Sequence, residues 1–302
     1  MEFSHPSGRK LLEEVGKIFA GGDGSIFERK DRHILFVCGG PVGASADSLR
    51  ARFLNWAKEE LPDVVPVLAE DAYGESYSDE PPEFINLGQF EKLIAGVSDC
   101  VLIFPESVGS YAEIGLFSAT AAIKKKILIA NEDTYHNRDS FLNLGPISHI
   151  NSSSLLRPAI PIRLDHIEEG FAAVRERLSR LKRRTNRRQF RYRAYKQLSV
   201  EDKLVAVYAT IIFLRAVTLA GLTQSLRTTF ETVSPRELQH LLSILLAGRY
   251  VLRSGEYFLP NPSAKSFLEF ERIYLEEVVG RVTLYYKRHH PRTLDYLRGV
   301  SR

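Results

Sequence analysis

The 302-residue chain has little sulfur: two cysteines, Cys38 and Cys100, and a single methionine. Both cysteines lie inside apolar runs. That excludes a disulfide framework and reads as reduced, buried thiols of a cytoplasmic protein. No apolar run reaches the roughly 18 residues that a membrane-crossing helix needs. The start, Met1 to Lys10, lacks the apolar stretch of a secretory signal. No group of residues has metal-ligand spacing, so no metal is expected. Cys38 has no visible base that would make it a nucleophile. His136 and His149 read as surface histidines of loops.

What is present is enough apolar residue for real cores, 44% of the chain, over a length that suits two domains. Charge is divided unevenly. Residues 1–165 carry 16 Lys/Arg against 24 Asp/Glu, a balance of −8; residues 166–302 carry 25 against 13, a balance of +12. An acidic ligand or catalytic half joined to a nucleic-acid-facing half fits that split; two surfaces that merely differ would also produce it. Between Arg177 and Arg193 nine Lys/Arg occur without one acid.

The first half alternates strand and helix. After an N-terminal appendage of residues 1–30, His33–Cys38, Val64–Ala69, Asp99–Phe104, Lys126–Ala130 and Ala159–Leu164 read as strands. Helices are predicted over Ala46–Glu60, Phe84–Val97 and Ser110–Ile123, and after Asp165. Continuously apolar strands alternating with helices imply a Rossmann-like parallel sheet covered on both faces, here residues 31–175. A basic linker, 176–198, leads to a mostly helical domain, 199–302. There Val200–Thr218, Leu222–Phe230 and a helix opened by Ser234-Pro235-Arg236-Glu237 precede a hairpin centred on Gly255-Glu256. Helix, helix, helix, hairpin is the order of a winged-helix domain. A last helix is predicted over Ser263–Arg288.

In an open parallel sheet, ligands bind at the carboxyl ends of the strands. Two loops stand there. Gly39, Gly40 and Gly43 follow the first strand, where backbone N–H groups at a helix start would cradle an anionic ligand; a glycine turn needed only for geometry reads the same way. The second loop, Phe104-Pro105-Glu106-Ser107-Val108-Gly109-Ser110-Tyr111-Ala112-Glu113-Ile114-Gly115, opens a helix. Glu113 is expected in its first turn, kept ionised by the helix dipole and able to attack or stabilise an oxocarbenium-like centre. Ser110-x-x-Glu113 is equally a capping box, in which Glu113 only satisfies the Ser110 N–H.

The strand, the Gly-Gly loop and the Pro-Glu-Ser-x-Gly-Ser-x-x-Glu-x-Gly run resemble the nucleoside deoxyribosyltransferase-like domain of bacterial retron effectors. The resemblance covers about residues 33–165 and extends loosely into the basic half. It implies that Glu113 is the nucleophile on the sugar C1′ and that an acid at Glu70-Asp71, taken as Asp71, orients substrate. Glu106, Ser107, Gly109 and Ser110 would line the site, and Asn143 would help form a pocket often completed by a neighbouring subunit. The transferases carry an acid-rich stretch where this chain has Pro105-Glu106-Ser107, which shifts the expected substrate from free deoxynucleosides to NAD⁺ or a related nucleotide. Nicotinamide leaves as a neutral group, which suits a site without an evident acid. No cofactor is implied beyond NAD⁺ as substrate.

For the basic half the resemblance implies two partners, the retron's DNA–RNA hybrid (msDNA) and its reverse transcriptase, which would hold a toxin inactive until phage infection. Arg183, Arg184, Arg187, Arg188, Arg191 and Arg193, interleaved with Phe190, Tyr192 and Tyr195, read as phosphate contacts with stacking aromatics, or as a solvated connecting face. Arg249 and Arg253 on the hairpin read as further phosphate contacts. Tyr73 and Tyr77 are candidates to stack on a base. Two other functions fit the same residues: transfer or hydrolysis on DNA precursors, and a non-catalytic DNA-binding regulator that senses a nucleotide.

Overall fold

The computed structural model describes residues 2–21, 25–29, 33–43, 46–76, 87–136, 138–182, 187–271 and 275–300. In chain order the elements are α1 (Pro6–Phe19), β1 (Ser25–Glu28), β2 (His33–Cys38), α2 (Leu49–Glu60), β3 (Val64–Val67), α3 (Ala69–Ser76), α4 (Leu87–Val97), β4 (Cys100–Ile103), α5 (Val108–Ser118), α6 (Ala121–Lys124), β5 (Ile127–Glu132) and α7 (Asp133–His136). A π-helical turn (Asn143–Ile147), α8 (Ser148–Ser153), β6 (Ile160–Ile162), α9 (Ile167–Lys182), β7 (Arg188–Gln189) and a 3₁₀ turn (Tyr195–Gln197) follow. The chain then forms α10 (Val200–Leu214), β8 (Val217–Thr218), α11 (Leu219–Phe230), α12 (Pro235–Ala247), β9 (Val251–Ser254), β10 (Tyr257–Pro260), β11 (Leu268–Glu271), α13 (Leu275–His289) and α14 (Pro291–Val300).

Two compact units emerge. One comprises Lys30–Asp71 and Glu83–Thr185; the other comprises Met1–Arg29, Ala72–Pro82 and Asn186–Arg302. This differs from the linear division into appendage, catalytic domain, linker and C-terminal domain. The first 30 residues are no appendage, because β1 supplies the central strand of a sheet ordered β11-β1-β7. The linker is no linker either. Its start is the end of α9, where Leu178 is buried in the core of the α/β unit, and its stretch from 187 to 198 belongs to the other unit.

The α/β unit is a five-stranded, all-parallel sheet ordered β3-β2-β4-β5-β6. Leu35 and Val37 of β2 join Leu102 of β4 and Leu128 of β5 in one core with Leu49 and Phe53 of α2 and Phe171 and Val174 of α9. Residues one step along point to the opposite face, where Phe36 meets Phe117 of α5, ring centroids 6.1 Å apart. Every residue of β2 and β4 is buried, which explains their unbroken apolar runs. The strand order reverses between β2 and β4, so the loops after these two strands flank a topological switch point.

In the second unit, α10 is buried from Leu204 to Leu214 and forms the centre of the core. A second sheet, β8-β10-β9, is antiparallel. Strand β8 was not foreseen: Val200–Thr218 reads as one helix, but α10 ends at Leu214 and Arg215 adopts positive φ. The helix expected from Ser263 is instead β11 followed by α13. The α12 cap also differs. Ser234 caps Glu237 N as expected, yet the Glu237 carboxylate accepts from Lys203 Nζ at 2.8 Å. No helix among the described residues is long and apolar enough to cross a membrane.

The N terminus is stitched into this unit. Phe3 is fully buried and stacks on Tyr285 at 5.5 Å, and the Glu2 carboxylate accepts from Thr218 N and Oγ1 at 3.1 and 2.9 Å. Phe3→Ala should therefore lower stability by about 3–5 kcal/mol, the usual loss for an emptied aromatic core site. Urea unfolding followed by circular dichroism checks this; a change below about 1 kcal/mol would restore the appendage reading.

Candidate active site at the carboxyl ends of the parallel strands

The two loops at the switch point meet through one carboxylate. Glu106, just past β4, accepts from Gly40 N at 2.8 Å, Leu49 N at 2.6 Å and Arg50 N at 3.0 Å. Both oxygens are thus spent on the glycine loop and on the N-terminus of α2. A Cβ on Gly40 would lie 2.8 Å from Ser48 Cβ and 3.1 Å from Glu106 Cδ; one on Gly39 would lie 2.9 Å from Arg50 Cβ. Gly39 and Gly40 are therefore required by this internal approach, where the sequence reading assigned them to a ligand. Gly43 is exposed with open space around it.

The turn into α5 is also self-contained. Ser107 is the N-cap: its Oγ accepts from Ser110 N at 3.1 Å and donates to Gly39 O at 3.0 Å. Ser110 Oγ accepts from Ser107 N and Glu106 N at 3.0 and 3.1 Å. The capping box is Ser107 with Ser110, and Ser110 with Glu113 is not one. Because α5 starts at Val108, Glu113 is its sixth residue, in the second turn. There the dipole has faded, and burial raises the Glu113 carboxyl above its ordinary value, against the lowering effect of Cys38 and Arg50. The expectation of a dipole-stabilised Glu113 is overturned. Gly109, in the first turn, is exposed, and a Cβ there would meet only Ser107 Oγ, at 3.8 Å.

Glu113 has company that sequence reasoning missed. Its Oε2 is buried and has no hydrogen-bond partner among the described residues. Arg50, its side chain 8% exposed, donates from Nη2 to Glu70 Oε2 at 2.8 Å and from Nη1 to Gly40 O at 3.2 Å, and its Nε is buried without a partner among the described residues. Glu91 of α4 is pushed up to about 7, by burial first and then by the charges of Glu113 and Glu70. Burial and the neighbouring Glu113 also push the Cys38 thiol up, so it is inert as a nucleophile. Three carboxyl groups thus surround one buried guanidinium, and Glu91, at about 7, exchanges its proton near neutrality.

A sequence signal for these residues existed. Arg50 stands three and seven residues before the buried Phe53 and Ala57, and Glu91 three and four before the buried Ile94 and Ala95. Each charge therefore occupies an apolar-stripe position. Of the Glu70-Asp71 pair, Glu70 meets Arg50, whereas Asp71 is exposed. Asn143 holds its own loop: Nδ2 donates to Tyr135 O and Arg138 O at 2.7 and 2.8 Å. Phe141, 88% exposed, and Leu144 stand on the same loop. His149 contacts Lys124 at 2.6 Å. Among the described residues, no group of three or more His, Cys, Asp or Glu is arranged to hold a metal ion.

The basic segment behaves differently from its sequence reading. Arg188 donates to Glu28 at 2.7 Å and Asp202 at 2.6 Å, and Arg187 lies over the Phe27 ring at 4.0 Å, with Glu269 at 3.2 Å. Both are cross-strand clamps of the β11-β1-β7 sheet. Phe190 and Tyr195 are core residues, and Tyr192 stacks on Phe230 at 5.5 Å while donating to Thr229 O. These aromatics are committed to packing. Arg191, Arg193, Arg249 and Arg253 are exposed. Arg183, Arg184 and Tyr77 lie outside the described residues.

Glu91 supplies a measurable consequence. Its folded value, about 7, exceeds the ordinary 4.5. Between those values only the folded state keeps the proton, so this group's contribution to stability is full below about pH 4.5 and is lost as pH rises through about 7. Urea midpoints of the whole chain should fall from pH 5 to pH 8, and less steeply in Glu91→Gln. In Glu113→Gln the Glu91 midpoint, followed by carbon-detected NMR, should move down, because one neighbouring charge is gone; an unmoved midpoint would show that the two carboxyls do not share a site.

Comparison with known proteins fits this geometry. A family model described as the STM3845 retron effector protein matches residues 46–253. Two Escherichia coli proteins are each 30% identical to this chain. One is the "Retron Ec73 putative ribosyltransferase/DNA-binding protein", matched over 124 residues, 41% of this chain and 39% of that protein. The other is the "Retron Ec86 putative ribosyltransferase/DNA-binding protein", matched over 126 residues, 41% of this chain and 40% of that protein. The matched region spans about two fifths of each relative's length. The family match begins after Gly39, Gly40 and Gly43 but takes in the β4–α5 loop, all three clustered glutamates and the exposed arginines of the hairpin, and this chain belongs to the STM3845 retron effector family.

Proposed function

We propose that the chain is the toxic effector of a retron anti-phage system and cleaves the N-glycosidic bond of NAD⁺ or a related nucleotide. The observation that carries this reading is the buried Oε2 of Glu113, without a hydrogen-bond partner among the described residues, under the electrostatic influence of Cys38 and Arg50 at the switch point. A buried acceptor without a donor is costly unless a ligand completes it. The names of the two relatives support ribosyl chemistry.

In the proposed reaction the C1′–N bond breaks and its electron pair goes to the pyridinium nitrogen, so nicotinamide leaves neutral. The ionised Glu113 bonds to C1′ or stabilises the cation there. Water then adds to C1′; where Glu113 has bonded there, the C1′–O bond breaks and its electron pair returns to the Glu113 carboxylate, and the water's proton passes to the Glu91 carboxylate, which at about 7 is poised to accept it. Arg50 Nε, without a partner among the described residues, is a donor available to a sugar hydroxyl. Below neutrality Glu91 is the acid form. That favours a second reading, hydrolysis or transfer on deoxynucleosides, whose bases leave poorly without a proton.

The element order of α10, β8, α11, α12, β9 and β10 supports a winged-helix module. Its partners in this reading are the msDNA and the reverse transcriptase, which hold the effector inactive in the cytoplasm. The exposed Phe141 and Leu144 support assembly with further copies.

Purified wild type and Glu113→Gln should be compared on NAD⁺ and on deoxynucleosides, with released base followed by chromatography. Loss of at least about a thousandfold in base release, together with loss of toxicity in cells, is expected for the variant. Toxicity unchanged in Glu113→Gln would point to a nucleotide-sensing regulator instead. On the nucleic-acid side, Arg249→Gln with Arg253→Gln should weaken msDNA binding and lower the salt slope by about 0.7–0.9 per lost phosphate contact. Fluorescence anisotropy over a salt series reads this, and an unchanged slope would remove the hairpin from the interface.

A further inference from the structure

The glycine loop and the start of a 12-residue helix form the kind of amide cradle that holds phosphate in many nucleotide-binding folds. Here Gly40 N, Leu49 N and Arg50 N all point at one group, and that group is the Glu106 carboxylate, at 2.6–3.0 Å. The seat is also walled in: Glu106 stands within 3.1 Å of where a Cβ of Gly39 or Gly40 would be. An anion of the protein's own already fills the place that a nucleotide's phosphate would take.

We infer that Glu106 is a specificity-determining residue, a fixed internal anion that denies the β2–α2 loop to phosphoryl groups. A substrate phosphate placed there would have to displace three charge-assisted hydrogen bonds and would meet the carboxylate's like charge. The ribosyl group offered to Glu113 therefore comes either without a phosphate or with its phosphates held away from this loop. A nucleoside 5′-monophosphate reaching for the cradle is disfavoured against the nucleoside. The consequence for substrate rests on the glycosidase reading, whereas the filling of the cradle does not.

The test uses inorganic phosphate as probe and the full chain as protein. Glu106→Ala removes the internal anion and leaves three N–H donors without acceptor, so the variant should be destabilised and then rescued by phosphate. Its thermal midpoint should rise in phosphate relative to chloride at matched ionic strength, while the wild-type midpoint should not respond. If Glu106→Ala does not fold by near-ultraviolet circular dichroism, Glu106→Ser, which also empties the seat but keeps a short hydroxyl acceptor, takes its place with the same expected response. Where base release from nucleosides is measurable, the ratio of KM for the 5′-monophosphate to KM for the nucleoside should fall about tenfold in the variant. Two results would overturn the inference: phosphate stabilising wild type as much as the variant, or a folded variant indifferent to phosphate. Phosphate rescue without any base release from wild type would leave the filled cradle standing and refute the glycosidase reading alone.

Discussion

The site depends on a buried cation. Arg50 joins Glu70 to the carbonyl of Gly40 and offsets the charges of Glu91 and Glu113. Without it, Glu91 and Glu113 would share a partly desolvated space, and burial alone would drive both towards the neutral acid. With it, the Glu91 carboxyl is left to exchange its proton at about 7 beside Glu113. A guanidinium suits this post because it stays charged when buried and its planar fork serves several acceptors at once.

Around that cation the protein spends other polar groups on geometry. Glu106, Ser107 and Ser110 satisfy the first N–H groups of α2 and α5 and tie the β4–α5 turn to the glycine loop. Helix starts leave several donors unmet. Meeting them with internal groups holds α5, and hence Glu113, at a set distance from β2. The residues nearest the motif's centre are therefore scaffold, and the buried Glu113 lies further along α5. In the other unit the arginine-rich run plays a comparable part. Arg187 and Arg188 clamp a three-stranded sheet whose middle strand comes from the N terminus, and Phe19 of α1 packs edge-on against Phe190, Phe213 and Phe230.

Much of the fold was legible because periodicity is a local property. β2, β4 and β5 lie within a residue or two of their predicted positions, since strands buried on both faces must be continuously apolar. Glu113 was legible through its motif. The helix start was misplaced because two serines three apart, Ser107 and Ser110, compete for the same cap and only the backbone selects between them. Arg50 and Glu91 carry no motif that would single them out, and only their places on their helices' apolar stripes mark them. The basic run was read as a flat stretch of charge because nothing in it announces that β1, drawn from 160 residues earlier, provides Glu28 as partner to Arg188.

By itself the sequence determined the parallel α/β unit, the helix-and-hairpin order that follows it, the uneven charge and the loop that carries Glu113. These are consequences of apolar period, glycine placement and composition, all of which act over a few neighbouring residues. Tertiary structure alone decided which charges are spent internally. Glu106 enters the glycine cradle, Arg50 gathers Glu70, Glu91 and Glu113, and Glu28 and Asp202 take Arg188. The reason is that desolvation and pairing depend on distance in space. Residues tens of positions apart along the chain become neighbours only when the strands are in register, and a charge's role is set by those neighbours rather than by its own identity.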